Sequence, residues 1–129
     1  MTRLSPTAQL SLAALIGLSI LHLMMLIALF SKAAVAPPDF VGPLNAAVLA
    51  IFMVALWLVW NSHPAYKFWL ALSALSALPG VGPHKLLIEA NALVISPVVI
   101  SGTLFVILLL RDLFAGRAQP EPEMESAGE

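Results

Sequence analysis

Two long stretches of this chain carry no charge, and they decide what it can fold into. Residues 8–30 and residues 90–110 run for 23 and 21 positions without an Asp, Glu, Lys or Arg. As an α-helix at 1.5 Å per residue the first would measure about 34 Å, enough to cross a hydrocarbon core of about 30 Å with some tilt. The rest of the composition agrees. Sixty per cent of the 129 residues are apolar and 10% are charged, against about 45–50% and about 25% in soluble domains. A surface so poor in charge would aggregate in water, so lipid is the expected solvent.

The charges that do exist are unevenly placed. Residues 1–117 hold six Lys/Arg against three Asp/Glu, a balance of +3, while four glutamates in the last nine residues give −4. Neither part has the basic patch or binding signature of a nucleic-acid partner. There is no cysteine, which removes disulfide frameworks, thiolate metal sites and cysteine nucleophiles.

Four spans follow from the pattern, at about 8–30, 44–60, 65–81 and 86–110. Ser5-Pro6 makes a helix start and Ser31-Lys32 a stop. Arg3 before the first run and Ala34-Val35-Ala36 after it look like parts of a secretory signal. Signal cores are about 7–15 residues, however, and this one is longer, so an uncleaved helix is expected. Pro37-Pro38-Asp39 and Gly42-Pro43 predict a loop. Asn61 to Lys67 reads as a polar turn. The third span is short, because Pro79-Gly80-Val81-Gly82-Pro83 places two prolines and two glycines in five residues and will not continue a regular helix. A re-entrant half-helix buried against protein is its alternative. Lys85 and Glu89, one helical turn apart, suit an interfacial ion pair ahead of the fourth span, and Arg111-Asp112 marks that span's end. Residues 118–129, with Pro120, Pro122 and the glutamates, are expected to be a disordered, acidic cytoplasmic tail.

Charge placement chooses among topologies. With four spans Arg3, Lys67, Arg111 and Arg117 share one side and Lys32 and Lys85 the other, four against two; a re-entrant third segment makes it three against three. The positive-inside rule thus favours four crossings with both termini cytoplasmic. Trp57, Trp60, Tyr66, Phe68 and Trp69 crowd around one short loop, as amphipathic rings do at the headgroup level. The fold class expected is an all-α integral membrane bundle of four transmembrane helices, in the compact format of a bacterial inner-membrane protein.

His22 is the residue with most chemistry to offer. It lies inside the first span, where a polar side chain is costly and faces protein or a cavity, on one face with Ser11 and with Ser19 beside it. A haem, copper or quinone site or a proton relay is one reading, with Met25, Met24 and Met53 as sulfur donors. An imidazole hydrogen-bonded to a neighbouring helix is the simpler one. His63 and His84 fall in loops on opposite sides, which leaves a haem at His22 without a second strong axial ligand in the same subunit. Glu89, Ser96 and Thr103 recur every seven residues and share one stripe of the fourth helix. The stripe could line a polar pathway, or it could be an interhelical seam with Glu89 snorkelling to the interface. Ser96-Pro97 is expected to bend that helix.

Small residues give the more coherent signal. Ala13 and Gly17, Ala46 and Ala50, Ser73 and Ala77, and Val98 and Gly102 each stand four apart, one pair per span, and such pairs let helix backbones approach closely in lipid. Nothing supports catalysis: there is no phosphate-cradling loop, no Ser/His/Asp set and no paired intramembrane carboxylates. The expected function is a non-catalytic accessory or interaction subunit, in contact with the bilayer and with other membrane subunits or copies of itself. A small transporter or channel component with a polar route past His22 and Ser96/Thr103 is the alternative, and a haem- or quinone-binding subunit using His22 the third.

Overall fold

The computed structural model describes residues 4–34, 38–81, 87 and 92–118. Among these the chain is all-helical, with four α-helices and no strand: α1 (Pro6–Phe30), α2 (Val41–Trp60), α3 (Tyr66–Val81) and α4 (Ala92–Ala118). α1, α2 and α4 are long and apolar enough to cross a membrane. Only 22–28% of their most apolar windows is buried in the bundle, so most of their apolar surface is left to face lipid. α3, with 16 residues, measures about 24 Å, short of a full hydrocarbon core.

The ends of the helices follow local chemistry. Ser5 caps α1, its Oγ accepting from the Ala8 amide at 3.2 Å with Pro6 in the first turn. α1 and α2 stop in the same way. Lys32 and Ser62 take positive φ of 51° and 52°, and the next amide reaches back five residues, Ala33 to the Ala28 carbonyl at 3.0 Å and His63 to Leu58 at 2.9 Å. This Schellman closure usually employs glycine; here Lys and Ser accept the left-handed conformation.

Two expected boundaries move. α2 begins at Val41 and takes in Gly42-Pro43, which had read as loop; a proline in the first turn lacks only an amide hydrogen that the helix does not use there. α3 ends at Val81, where the third span was expected to end, and holds Pro79 and Gly80 inside its last turn, at the cost of the amide bond that residue 79 would otherwise make to the carbonyl of residue 75. α4 passes Arg111-Asp112 and reaches Ala118, since Asp112 turns inward and is 6% exposed. The acidic tail from 119, the Lys85–Glu89 pair and the expected start of the fourth span at 86 lie outside the described residues.

Each helix packs on its neighbours in a ring, α1 on α2, α2 on α3, α3 on α4 and α4 on α1, with α1 and α3 touching weakly across the diagonal. Pairings run antiparallel: Ser11 meets Asp112 and Gly17 faces Phe105, while Gly42 faces Leu29 and Gly102 faces Val81. The N-terminus of α1 and the C-terminus of α4 therefore share one end of the bundle. The core is a seam of Leu15, Leu18, Phe52, Leu70, Ala77, Val81 and Leu109, all fully buried.

Candidate functional site

The inward face of α1 carries two polar side chains eleven residues apart, Ser11 and His22, both buried and separated along the helix by about 16 Å. They anchor two distinct contacts.

At the end shared by the start of α1 and the end of α4, the Ser11 hydroxyl donates to Asp112 Oδ2 at 2.5 Å, joining α1 to α4. Hydroxyl-to-carboxylate bonds run short because the acceptor is charged. Tyr66, at the start of α3, lies within electrostatic reach of the same carboxylate.

Toward the other end, His22 is held from several sides. Its Nδ1 is 2.9 Å from the Leu18 carbonyl, a geometry that places the proton on Nδ1. Its ring meets Phe52 edge-on at 4.9 Å. Its own carbonyl accepts from Asn45 Nδ2 at 2.8 Å, tying α2 to α1. Its Nε2 faces Gly80 so closely that a Cβ there would sit 3.0 Å away. His22 therefore lies at the level of the α3 C-terminal turn and of the first turns of α2. Ser19 bonds the Leu15 carbonyl of its own helix at 2.7 Å. Met25 packs on the core, whereas Met24 and Met53 point outward, 56% and 49% exposed, away from the imidazole. His63 lies in the exposed turn before α3, its Nδ1 accepting from the Ala65 amide at 3.1 Å.

The stripe on α4 is only partly visible. Glu89 lies outside the described residues. Ser96 Oγ donates to the Leu93 carbonyl at 2.8 Å, and Thr103 Oγ1 reaches the Val81 carbonyl at 3.4 Å. Val81 and Gly80 are consecutive, so the last turn of α3 touches Thr103 of α4 and His22 of α1. The two hydroxyls serve backbone carbonyls in this arrangement.

The small-residue pairs divide into two groups. Gly17, Ser73, Ala77 and Gly102 are at helix contacts: Phe105 fills the space over Gly17, Val81 that over Gly102, and Ser73 and Ala77 are fully buried. Val98 is partly buried against the core. Ala13, Ala46 and Ala50 are exposed on the outside of the bundle. Ala46 and Ala50 share a line along α2 with Met53, Trp57 and Trp60, at spacings of four and three, and all five are exposed.

Comparison of the chain with protein-family models, curated proteins and solved structures finds no match.

Asn45 and Asp112 are the polar contacts that sequence reasoning missed. The inward positions of α2 are 42, 45, 48, 52 and 55, and an asparagine inside an apolar span is itself a signal that its face meets protein. Asp112 lies seven residues after Phe105, so both present one face to α1. Its neighbour Arg111 hid that register by making the pair look like a charged stop. The Ser73 hydroxyl is buried with no hydrogen-bond partner among the described residues.

Proposed function

We propose that this chain is a non-catalytic membrane subunit that works by associating with other transmembrane helices, in partner proteins or in further copies of itself. The observation that carries this reading is the exposed position of Ala46 and Ala50. Of the other pairs, Gly17, Ser73, Ala77 and Gly102 are taken up by contacts inside the bundle, whereas this is the pair with both members exposed, open to close backbone approach by a helix from outside. The polar side chains support it too. Each described hydrogen bond of Ser11, His22, Asn45, Ser96 and Thr103 ties helices together or returns to a backbone carbonyl. In this reading α3 is the fourth crossing, both termini face the cytoplasm, and the host membrane is a bacterial inner membrane.

The test is association measured in liposomes by energy transfer between labelled chains and by copurification after gentle solubilisation. Ala46→Leu with Ala50→Leu is expected to weaken association about tenfold or more, while Leu75→Phe, on the exposed side of α3, leaves it intact. Association untouched by the double substitution, or a wild type that is solitary in the bilayer and copurifies with nothing, overturns the proposal.

A further inference from the structure

Two exposed lines of side chains run next to each other on one side of the bundle. On α1 the line is Ala13, Ile16, Ile20, Leu23 and Ile27; on α2 it is Ala46, Ala50, Met53, Trp57 and Trp60. They flank a shallow apolar depression between Leu12 and Ile16 of α1 and Met53 and Trp57 of α2, so both lines face the same way. Gly42 against Leu29 and Asn45 on the His22 carbonyl fix how the two antiparallel helices are aligned. Counted from these contacts at 1.5 Å per residue, Ala46 is level with Leu23, Ala50 with Ile20 and Trp57 with Ala13. α2 is thus small where α1 is large, and large where α1 is small.

A two-fold axis along the membrane normal leaves every level unchanged and sets α1 of each copy against α2 of the other. Opposite charges meet under the same operation. Lys32 follows α1 and Asp39 precedes α2; both are exposed, and neither is in an ion pair among the described residues. By the same count they are level, so Lys32 of each copy meets Asp39 of the other, twice per pair. We infer that the side formed by α1 and α2 is the interface of a two-fold dimer of this chain. Ile20 and Leu23 cover Ala50 and Ala46 of the second copy, Ala13 receives its Trp57, and Lys32 pairs with its Asp39. From Ala13 to Lys32 the contact runs about 28 Å, and two helices wide it buries about 1,200 Å² over both copies, the size at which specific interfaces begin. The inference rests on the association proposed above and names its partner as a second copy, with α1 as the helix that Ala46 and Ala50 accept.

Charge exchange between copies tests the pairing, read as energy transfer between labelled full chains in phosphatidylcholine liposomes. Lys32→Glu alone, or Asp39→Lys alone, sets like charges at both contacts and should weaken self-association about tenfold, two exposed pairs each passing from attraction to repulsion. A mixture of the two variants has opposite charges at both contacts and should associate as the wild type does. Added salt should narrow the difference by screening. The chain has no cysteine, so introduced thiols give a second readout: Ile20→Cys copies mixed with Ala50→Cys copies should yield severalfold more oxidised dimer than either variant by itself. A mixture that associates no better than its components overturns the two-fold pairing, as do thiols that join 20 to 20 or 50 to 50 in preference to 20 to 50. Wild-type copies that stay apart, while Ala46→Leu with Ala50→Leu releases a different copurifying protein, overturn the dimer and leave the association reading standing. Copies that stay apart with nothing copurifying bring down both.

Discussion

Gly102→Ala adds one methyl group where α4 meets the last turn of α3. Built on the existing backbone, its Cβ would lie 2.5 Å from Val81 Cβ, 2.6 Å from Cγ2 and 3.1 Å from Cγ1. Unstrained carbon pairs sit at about 3.5–4.0 Å, so the two helices must part by about 1 Å. Val81 cannot step aside. Its Cβ is fixed to the backbone, its χ1 is restricted by branching, and it is fully buried. Overpacking of this kind costs about 1–3 kcal/mol. Replacing glycine by alanine inside a helix returns about 1 kcal/mol. The Thr103–Val81 bond, already 3.4 Å long, would also be lost as the helices part. The expected net loss is about 1–2 kcal/mol. Gly17→Ala makes a sharper case. Its Cβ would approach the tip of the Phe105 ring, Cε2 at 2.5 Å and Cε1 at 2.8 Å, contacts as close as those at Gly102. Yet these are the far atoms of a side chain that is only partly buried and can swing, so its effect should stay within about 0.5 kcal/mol. Reversible unfolding in mixed micelles measures both. Val81→Ala introduced beside Gly102→Ala should recover stability, with a coupling of about 1 kcal/mol or more. Equal costs at 17 and 102, or no coupling between 81 and 102, would refute the argument from contact geometry.

Ser11→Ala removes the hydroxyl that faces Asp112 in the buried contact and should destabilise the bundle by about 2–3 kcal/mol, because a charged acceptor loses a buried donor. Adding Asp112→Leu should restore much of that loss, and a thermal melt in which Ser11→Ala is silent would contradict the assignment. Asn45→Leu deletes the bond from α2 to the His22 carbonyl. Interhelical bonds in lipid average about 0.6 kcal/mol and reach about 1.7, so the unfolding midpoint should fall by a correspondingly small step; a rise would mean that apolar packing outweighs the bond.

Much of the architecture was legible because lipid imposes a simple requirement. Uncharged runs at 8–30 and 90–110 announce helices whatever their partners, and the turns at Asn61–Lys67 and around Asp39 announce the breaks. What escaped depended on neighbours in space. The end of the third helix at 81 was legible, but not that the helix would keep Pro79 and Gly80 inside its last turn, giving up the amide bond of residue 79. Asp112 looked like a terminus because exposed and buried carboxylates are identical in a sequence; only the placement of Ser11 opposite it distinguishes them. The four small pairs were equivalent as written, and only the ring of helix contacts separates Gly17 and Gly102, which are covered, from Ala46 and Ala50, which are not. His22 was recognisable as an inward residue, whereas its hold on Asn45 and Gly80 required two further helices to be in place.

The approach of His22 to Gly80 couples two positions 58 residues apart in the chain. A Cβ at 80 would stand 3.0 Å from Nε2, so alanine there requires the buried imidazole to give by a few tenths of an ångström, and a larger residue calls for a slimmer one at 22. Descendants of this polypeptide should therefore change at 22 and 80 in concert, and a lineage that abandoned the histidine would be released to accept alanine or serine at the end of its third helix.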